Sequence, residues 1–267
     1  MPQTGLTLHP AEARYSLRPD AYDAALFDLD GVVTRTALLH AAAWSELFNR
    51  FLQAESRRTH RPQAPFDPED DYLRYVDGKP RYEGVQSFLA ARGIDLPWGN
   101  PEDAPGYSSV IALGKLKDGY FLERLRTRGV EVYLSTLRVI EDLLAAGCRT
   151  ALVTSSKNGQ EVLEQAGLSE LFEARVDGND LERLSLRGKP SPDSFLAAAR
   201  LLNASPGRTI VFEDAISGVV AGKAGGFGLI IGINRGNQAR QLLEAGADIV
   251  VDDLSALRIE PKGGDTV

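Results

Sequence analysis

The chain has 267 residues, 43% of them apolar and 25% charged, enough to bury at least one full core in one large domain or two smaller ones. Thirty basic residues against 37 acidic ones leave a net charge of −7, which argues against a nucleic-acid partner while leaving room for a local basic pocket that holds a phosphorylated substrate. The single cysteine, Cys148, excludes an intrachain disulfide, no Cys/His cluster offers a structural zinc, and neither a signal-peptide core nor a membrane-spanning apolar run occurs, so a cytoplasmic, non-membrane protein is expected. In chain order, AALFDLD at 24–30 reads as a buried strand. Residues 35–129 lack strand signals: His40, Trp44, Leu47, Phe48 and Phe51 fall on one helical face, and 69–76, 80–92 and 109–128 are further helical stretches. The Pro-, Gly- and charge-rich segments ESRRTHRPQAPFDPE and IDLPWGNPEDAPG read as loops.

From about residue 130 the pattern changes to alternating strands and helices. Apolar runs at 148–156, 174–176, 208–214, 227–233 and 247–253 are separated by helix-period stretches at 136–146, 157–166, 191–202, 215–224 and 237–245. Several helices close on a glycine (Gly147, Gly167, Gly225, Gly246), as a left-handed cap requires. The reading is a parallel α/β sheet formed by 1–34 and 130–267, with a helical domain at 35–129 inserted after the first strand.

Chemistry-bearing residues recur at the C-terminal ends of these strands, where parallel sheets place their ligands. In AALFDLDGVVT, Asp28 and Asp30 are two apart, so both carboxylates face one way and share a small space. That is costly unless a cation lies between them or one is protonated; either outcome is useful, as a dication site or as a general acid beside a nucleophile. In TALVTSSKN, Thr154, Ser155 and Ser156 bring hydroxyls and backbone N–H groups to a helix start, a phosphate cradle or an ordinary N-cap. In LRGKPSPD, Lys189 supplies a positive charge in a chain with seven lysines and 23 arginines. In TIVFEDA, Glu213 and Asp214 end an apolar strand, tolerable there only with a cation or a hydrogen-bond network; a helix N-cap is the plainer reading of Asp214.

The order DLDGVVT, TSSKN, GKPSPD, FEDAISG resembles the haloacid dehalogenase superfamily of phosphoryl-transfer enzymes, and more closely its beta-phosphoglucomutase-like branch, over residues 22 to 255. The resemblance implies an α/β fold with a Rossmann-like core and a helical cap. It implies that Asp28 is the nucleophile that becomes an aspartyl phosphate and Asp30 the general acid/base, with Thr154 and Lys189 holding the transferring phosphate. It implies Mg²⁺ held by Asp28, the Asp30 carbonyl, Glu213 and Asp214, phosphate binding by the segment from Ser155 on, and a second phosphate of a sugar bisphosphate held by Ser156, Lys157 and Asn158 together with Arg81 of DGKPRYEG. His40 matches a histidine near the general acid, and Lys115 or Lys117 a further cap lysine, the register leaving both open; packed-helix and solvated-charge roles are the alternatives for His40 and Arg81. Arg35 stands where many relatives have an acid, and the loop 55–68 is long for the branch.

The resulting expectation is a monomeric, cytoplasmic, Mg²⁺-dependent phosphotransferase on a small phosphorylated sugar, isomerising beta-glucose 1-phosphate to glucose 6-phosphate. The alternatives are a sugar-phosphate phosphatase that shares every core residue and a non-catalytic phosphosugar sensor, against which the presence of both Asp28 and Asp30 argues.

Overall fold

The computed structural model describes residues 6–9 and 14–260. Two compact units emerge, Met1–Arg35 with Glu131–Val267, and Thr36–Val130. The first is built on a six-stranded parallel sheet: β3 (Ala24–Phe27), β4 (Arg149–Val153), β5 (Ala174–Val176), β6 (Thr209–Glu213), β7 (Leu229–Ile233) and β8 (Ile249–Val251), in the order β5-β4-β3-β6-β7-β8. Ala24–Phe27 is buried throughout, as a central parallel strand covered on both faces must be. Period two sorts its side chains: Ala24 and Leu26 join Ala151, Val153 and Val211 in one core cluster, while Phe27 stacks on its register partner Phe212 at 4.3 Å between ring centroids. Strand order reverses direction between β3 and β6, so the crevice beyond the C-terminal ends of these two strands is the topological ligand position.

Helices α4 (Leu134–Ala145), α5 (Gly159–Ala166), α7 (Asp193–Leu201), α8 (Ile216–Ala224) and α9 (Ala239–Ala245) fall within the stretches expected from sequence, give or take two residues at each start. One helix lies outside those stretches: α6 (Gly178–Arg183) is only six residues long, and the reciprocal capping of Asp177 and Asp180 starts it. A second, three-stranded sheet, β1 (Leu6–His9), β2 (Arg14–Leu17) and β9 (Leu257–Ile259), also has no counterpart in the sequence pattern; its β2–β9 pairing joins Tyr15 to Leu257, a separation no local pattern carries. Of the four closing glycines, Gly147, Gly167 and Gly246 have φ of 79°, 69° and 114°, but Gly225 lies at −78° and the left-handed residue is Gly226 at 69°. Gly225 is small for another reason: a Cβ there would lie 2.5 Å from the Phe227 ring.

The second unit comprises α1 (Ala37–Thr59), α2 (Arg81–Ala91), α3 (Val110–Arg128) and a π-helical turn at Tyr72–Val76, with no strand among its described residues. Leu39, Ala43, Trp44, Leu47, Phe48, Phe51 and Leu52 form the buried stripe of α1, and those from Trp44 on share a core cluster with Phe66 and Phe88; the Phe48 and Phe88 rings lie 4.0 Å apart. Truncating the fully buried Phe48 would cost about 3–5 kcal/mol. The expected loop from residue 55 begins later, because α1 continues through Thr59, braced by the Glu55–Arg58 pair at 2.7 Å. Among the described residues no helix is long and apolar enough to cross a membrane.

Candidate active site

Three strand ends of the first unit, those of β3, β4 and β6, deliver the site together with the loop before α7, which carries Lys189 in place of the strand end expected from sequence. Asp28 follows β3 directly, and its N–H donates to Phe212 O of the neighbouring strand at 3.0 Å. The ladder pairing of β3 stops at Phe27, and Leu29 is fully buried, so a tight turn rather than a continuing strand carries Asp30: Val33 and Thr34 N–H both reach back to Leu29 O, at 3.0 and 2.9 Å. Gly31 makes that turn possible. Its φ is +93°, and a Cβ there would lie 1.8 Å from Asp214 Oδ2, so only a glycine lets the Asp214 carboxylate pack against the DLDG turn.

Lys189 is the hub. Its side chain is 1% exposed, and Nζ donates to Asp28 Oδ1 at 2.6 Å, to Glu213 Oε1 at 2.5 Å and to Val153 O at 3.3 Å. The loop that presents it is braced by Asp193, which accepts from Arg187 N–H at 3.1 Å, from the Arg187 guanidinium at 3.2 Å and from Ser191 Oγ at 2.7 Å; these bonds hold the Asp193 pKa at about 2. Burial alone would lower the Lys189 pKa, but Asp28 and Glu213 outweigh it and keep the ammonium charged. Burial pushes Asp28 in the other direction, well above the ordinary carboxylate range; Lys189 opposes that rise, and the Glu213 and Asp30 charges add to it.

Burial is the largest cause of that rise, and a charge imbalance adds to it: one ammonium faces the carboxylates of Asp28 and Glu213, with the Asp30 charge also raising Asp28. Carboxylate oxygens of Asp28, Glu213 and Asp214, all buried, lie within 4.8 Å of one another. A buried surplus of negative charge, presented as hard oxygen donors, fits a hard dication. The two oxygens of Glu213 are differently engaged: Oε1 accepts from Lys189, and Oε2 from Ala215 N–H at 2.8 Å. Asp214 is not the N-cap of α8, a place taken by Ala215, so the plainer reading of that carboxylate does not apply.

Thr154, 2% exposed at the end of β4, accepts from Ser156 N–H at 3.0 Å and donates to Asp30 Oδ2 at 3.4 Å, tying the third strand end to the DLDG turn. Ser156 Oγ accepts from Asn158 N–H at 3.2 Å, and Asn158 is the N-cap position of α5 without a side-chain cap bond. Ser155 stands between Thr154 and Ser156, its carbonyl against Gly178 at the start of α6. Lys157 is ion-paired to Glu182 of α6, and Asn179 Nδ2 donates to the Lys157 carbonyl at 2.8 Å. The structure thus brings Asp28, Asp30, Thr154, Lys189, Glu213 and Asp214 together, and ties the 155–158 segment to α6.

Two further groups complete the site. Gly218, in the FEDAISG motif, leaves room for Glu213, since a Cβ there would lie 1.8 Å from Oε1. Gln238 is buried and donates from Nε2 to the Asp214 carbonyl at 2.9 Å; nothing in its local sequence announces this.

In the helical unit, His40 on α1 lies parallel to the Phe121 ring, 3.9 Å between centroids, and Nδ1 meets Lys117 Nζ. Lys117 is buried on α3 with its ammonium 4.9 Å from the Trp44 ring centroid, whereas Lys115 directs its ammonium to the carbonyls of Pro101 and Asp103. Of the two lysines, then, Lys117 is the one joined to His40. Arg81, at the start of α2, pairs with Asp118 at 2.6 Å.

A parallel sheet with a buried carboxylate, a buried lysine bonded to it and an acidic pair at its switch point fits a phosphoryl-transfer enzyme of the Rossmann-like class. The family model of haloacid dehalogenase-like hydrolases matches residues 22–226, and the chain is an enzyme of that family. It is 46% identical over 242 residues to a beta-phosphoglucomutase of Mycobacterium bovis, covering 90% of this chain and 92% of that protein. A phosphorylated carbohydrates phosphatase of Thermotoga maritima is 28% identical over 241 residues, covering 89% and 97%. The crystal structure of a beta-phosphoglucomutase from Clostridium difficile shares the fold, with a TM-score of 0.67 at 24% identity over 89% of this chain and 93% of that one.

Proposed function

We propose that the protein isomerises beta-glucose 1-phosphate to glucose 6-phosphate through two phosphoryl transfers on Asp28. The supporting observation is the buried Asp28–Lys189–Glu213 network in a chain 46% identical to a beta-phosphoglucomutase across 90% of its length. In each transfer to the enzyme, an Asp28 carboxylate oxygen attacks phosphorus, the bond from phosphorus to the sugar oxygen breaks, and Asp30 gives that oxygen a proton. In the reverse half-reaction a sugar hydroxyl attacks the aspartyl phosphate, Asp30 takes the hydroxyl proton, and the Asp28 carboxylate is released. Phosphorylated enzyme thus converts beta-glucose 1-phosphate into the 1,6-bisphosphate, whose other phosphate returns to Asp28 as glucose 6-phosphate leaves.

Lys189, with the Thr154 hydroxyl and the N–H groups after it, neutralises the oxygens of the phosphate in flight. Asp28, the Asp30 carbonyl, Glu213 and Asp214 would hold Mg²⁺, which adds electrostatic stabilisation of that phosphate when bound. Ser155, Ser156, Lys157, Asn158 and Arg81 serve the distal phosphate, and the His40–Lys117 pair the sugar side of the general acid. The enzyme works as a cytoplasmic monomer on a small phosphosugar.

One observation favours phosphatase activity as a second reading: Arg81 and Lys157 already hold Asp118 and Glu182, and hydrolysis of a monophosphate would leave both pairs intact. Supplying beta-glucose 1-phosphate with and without glucose 1,6-bisphosphate, and following glucose 6-phosphate and free phosphate together, separates the two. Bisphosphate-dependent glucose 6-phosphate is the expected product; free phosphate as the main product with the bisphosphate present overturns the mutase reading.

A further inference from the structure

The residue that follows the general acid is Gly31, and its carbonyl belongs to the Gly31–Val32 peptide, whose direction a glycine does not fix by itself. Gly31, at φ +93°, can rotate with little steric restraint, so the direction of its carbonyl, and with it the placement of Asp30, must be set by what the carbonyl meets. It meets Arg235, whose Nε donates to Gly31 O at 2.8 Å. Arg235 comes from a different strand end, the loop after β7. That loop is itself anchored: Asn234 N–H donates to Val251 O at 2.8 Å, Asn234 Nδ2 to Asp252 Oδ1 at 2.7 Å, and Gln238 N–H to Asn234 Oδ1 at 2.8 Å.

The guanidinium is fixed on three further sides. Nη1 donates to Asp252 O at 3.1 Å and lies 3.9 Å from the Asp253 carboxylate, which also accepts from Ser135 Oγ at 2.8 Å. Its carbon lies 3.6 Å from the centroid of the Tyr133 ring. Tyr133 is in turn tied to the DLDGVVT turn, its N–H donating to Val33 O at 3.0 Å, while Thr136 Oγ1 donates to Val32 O at 2.7 Å. Arg35, the residue that departs from the family pattern, lies 4.7 Å from the same ring and 3.9 Å from Glu131. Nη2 is shielded from solvent with no hydrogen-bond partner among the described residues. A side chain that buries an unsatisfied donor in order to hold one glycine carbonyl gives up stability for placement.

We propose that Arg235 is the positioning residue of the general acid: through the Gly31 carbonyl it holds the DLDG turn so that Asp30 reaches the leaving oxygen. The proposal rests on the reading of Asp30 as proton donor. Lysine cannot replace arginine here, because one ammonium cannot make the Nε and Nη1 bonds at once and stack flat on Tyr133.

The test compares two leaving groups in the Mg²⁺-supplied full-length enzyme. Beta-glucose 1-phosphate with its bisphosphate needs a proton on the departing oxygen, whereas p-nitrophenyl phosphate releases a phenolate that does not. Its pre-steady-state burst therefore reads attack by Asp28 without proton donation. For Arg235→Ala, kcat with the sugar phosphate should fall by roughly 30- to 100-fold with KM little changed, the size expected for a misplacement of about 1 Å. The burst should fall at least about ten times less, since only proton donation depends on Asp30 placement. Added to Asp30→Asn, Arg235→Ala should cost little more, as residues acting as a unit do. Arg235→Lys should show the same selectivity, and it carries the test if the alanine variant melts below the assay temperature.

Equal losses with both substrates, or full additivity with Asp30→Asn, would make Arg235 a general support of the fold and overturn the proposal. Asp30→Asn alone is the control on the underlying reading. If it discriminates between the leaving groups while the Arg235 variants do not, only the positioning role fails; if it treats both alike, the proton-donor reading fails and the positioning role falls with it.

Discussion

The two units of this protein handle charge in opposite ways. In the helical unit the partly buried guanidinium groups have carboxylate partners: Arg81 with Asp118, Arg92 with Asp71 and Arg124 with Glu46. At the sheet's switch point one ammonium, Lys189, bonds to both Asp28 and Glu213, and burial first, then the Glu213 and Asp30 charges, raise the Asp28 pKa. Balanced pairs leave the helical unit content without ligand, so a phosphate recruiting Arg81 must displace Asp118. The buried carboxylate oxygens of Asp28, Glu213 and Asp214 are a donor set that fits a dication, with the surrounding apolar strands offsetting the penalty of burying them.

The largest expected effect breaks the comparison on the core side. Asp28→Asn keeps the shape of the side chain but removes the nucleophile, and turnover should fall by at least roughly 10³-fold while the fold persists, as circular dichroism and steady-state assay together would show. Near-native activity in the folded variant would end the nucleophile assignment. Next comes Lys189→Met, which leaves Asp28 and Glu213 buried against each other without a cation. It should cost about 3–5 kcal/mol, read as a drop in melting temperature on the order of 10 °C, and Mg²⁺ should restore more of the melting temperature in the variant than it adds to the wild type. A neutral Lys189→Met would mean that the core is as balanced as the helical unit.

The third prediction moves to the helical unit. Arg81→Ala should lower bisphosphate-dependent mutase flux by about 2–4 kcal/mol, the value of a desolvated charge-assisted pair, with a much smaller effect on hydrolysis of a small monophosphate. Parallel assays of the two reactions give the ratio, and equal losses would place Arg81 among the structural pairs only.

The smallest effect concerns the brace of the Lys189 loop. Asp193 has a folded pKa of about 2, below its ordinary 3.8, so its contribution is complete above 3.8 and disappears as pH falls through about 2. With Arg187 largely exposed, the wild-type lead over Asp193→Asn should be only about 1–2 °C at pH 6, and calorimetry should find it shrinking as the pH is lowered below 4. A lead that grows on acidification would contradict the assignment.

The same contrast explains what the sequence revealed. Strands β4, β6 and β7 were legible because burial on both faces makes each a short apolar run between breakers, and Thr154, Glu213 and Asp214 stand at the ends of two of those runs. Lys115 and Lys117 could not be told apart, since two residues on one helix differ only in what they pack against; the answer lay in His40, 77 positions away. The 55–59 segment looked like a loop because ESRRT is charged, yet a charged segment continues a helix when its charges pair one turn apart, as Glu55 and Arg58 do. Gln238 and Arg235 carry no motif, and their roles come from backbone carbonyls of Asp214 and Gly31 that sequence patterns do not register.

The central claim is that Asp28 carries the phosphoryl group. The most direct measurement is to quench the enzyme during turnover with the sugar bisphosphate, reduce it with borohydride, which converts an aspartyl phosphate to homoserine, and locate the change by mass spectrometry. The account predicts substrate-dependent homoserine at position 28 in the wild type and none in Asp28→Asn. Homoserine at position 30 or at another acid, or an enzyme that turns over without any such label, would contradict it.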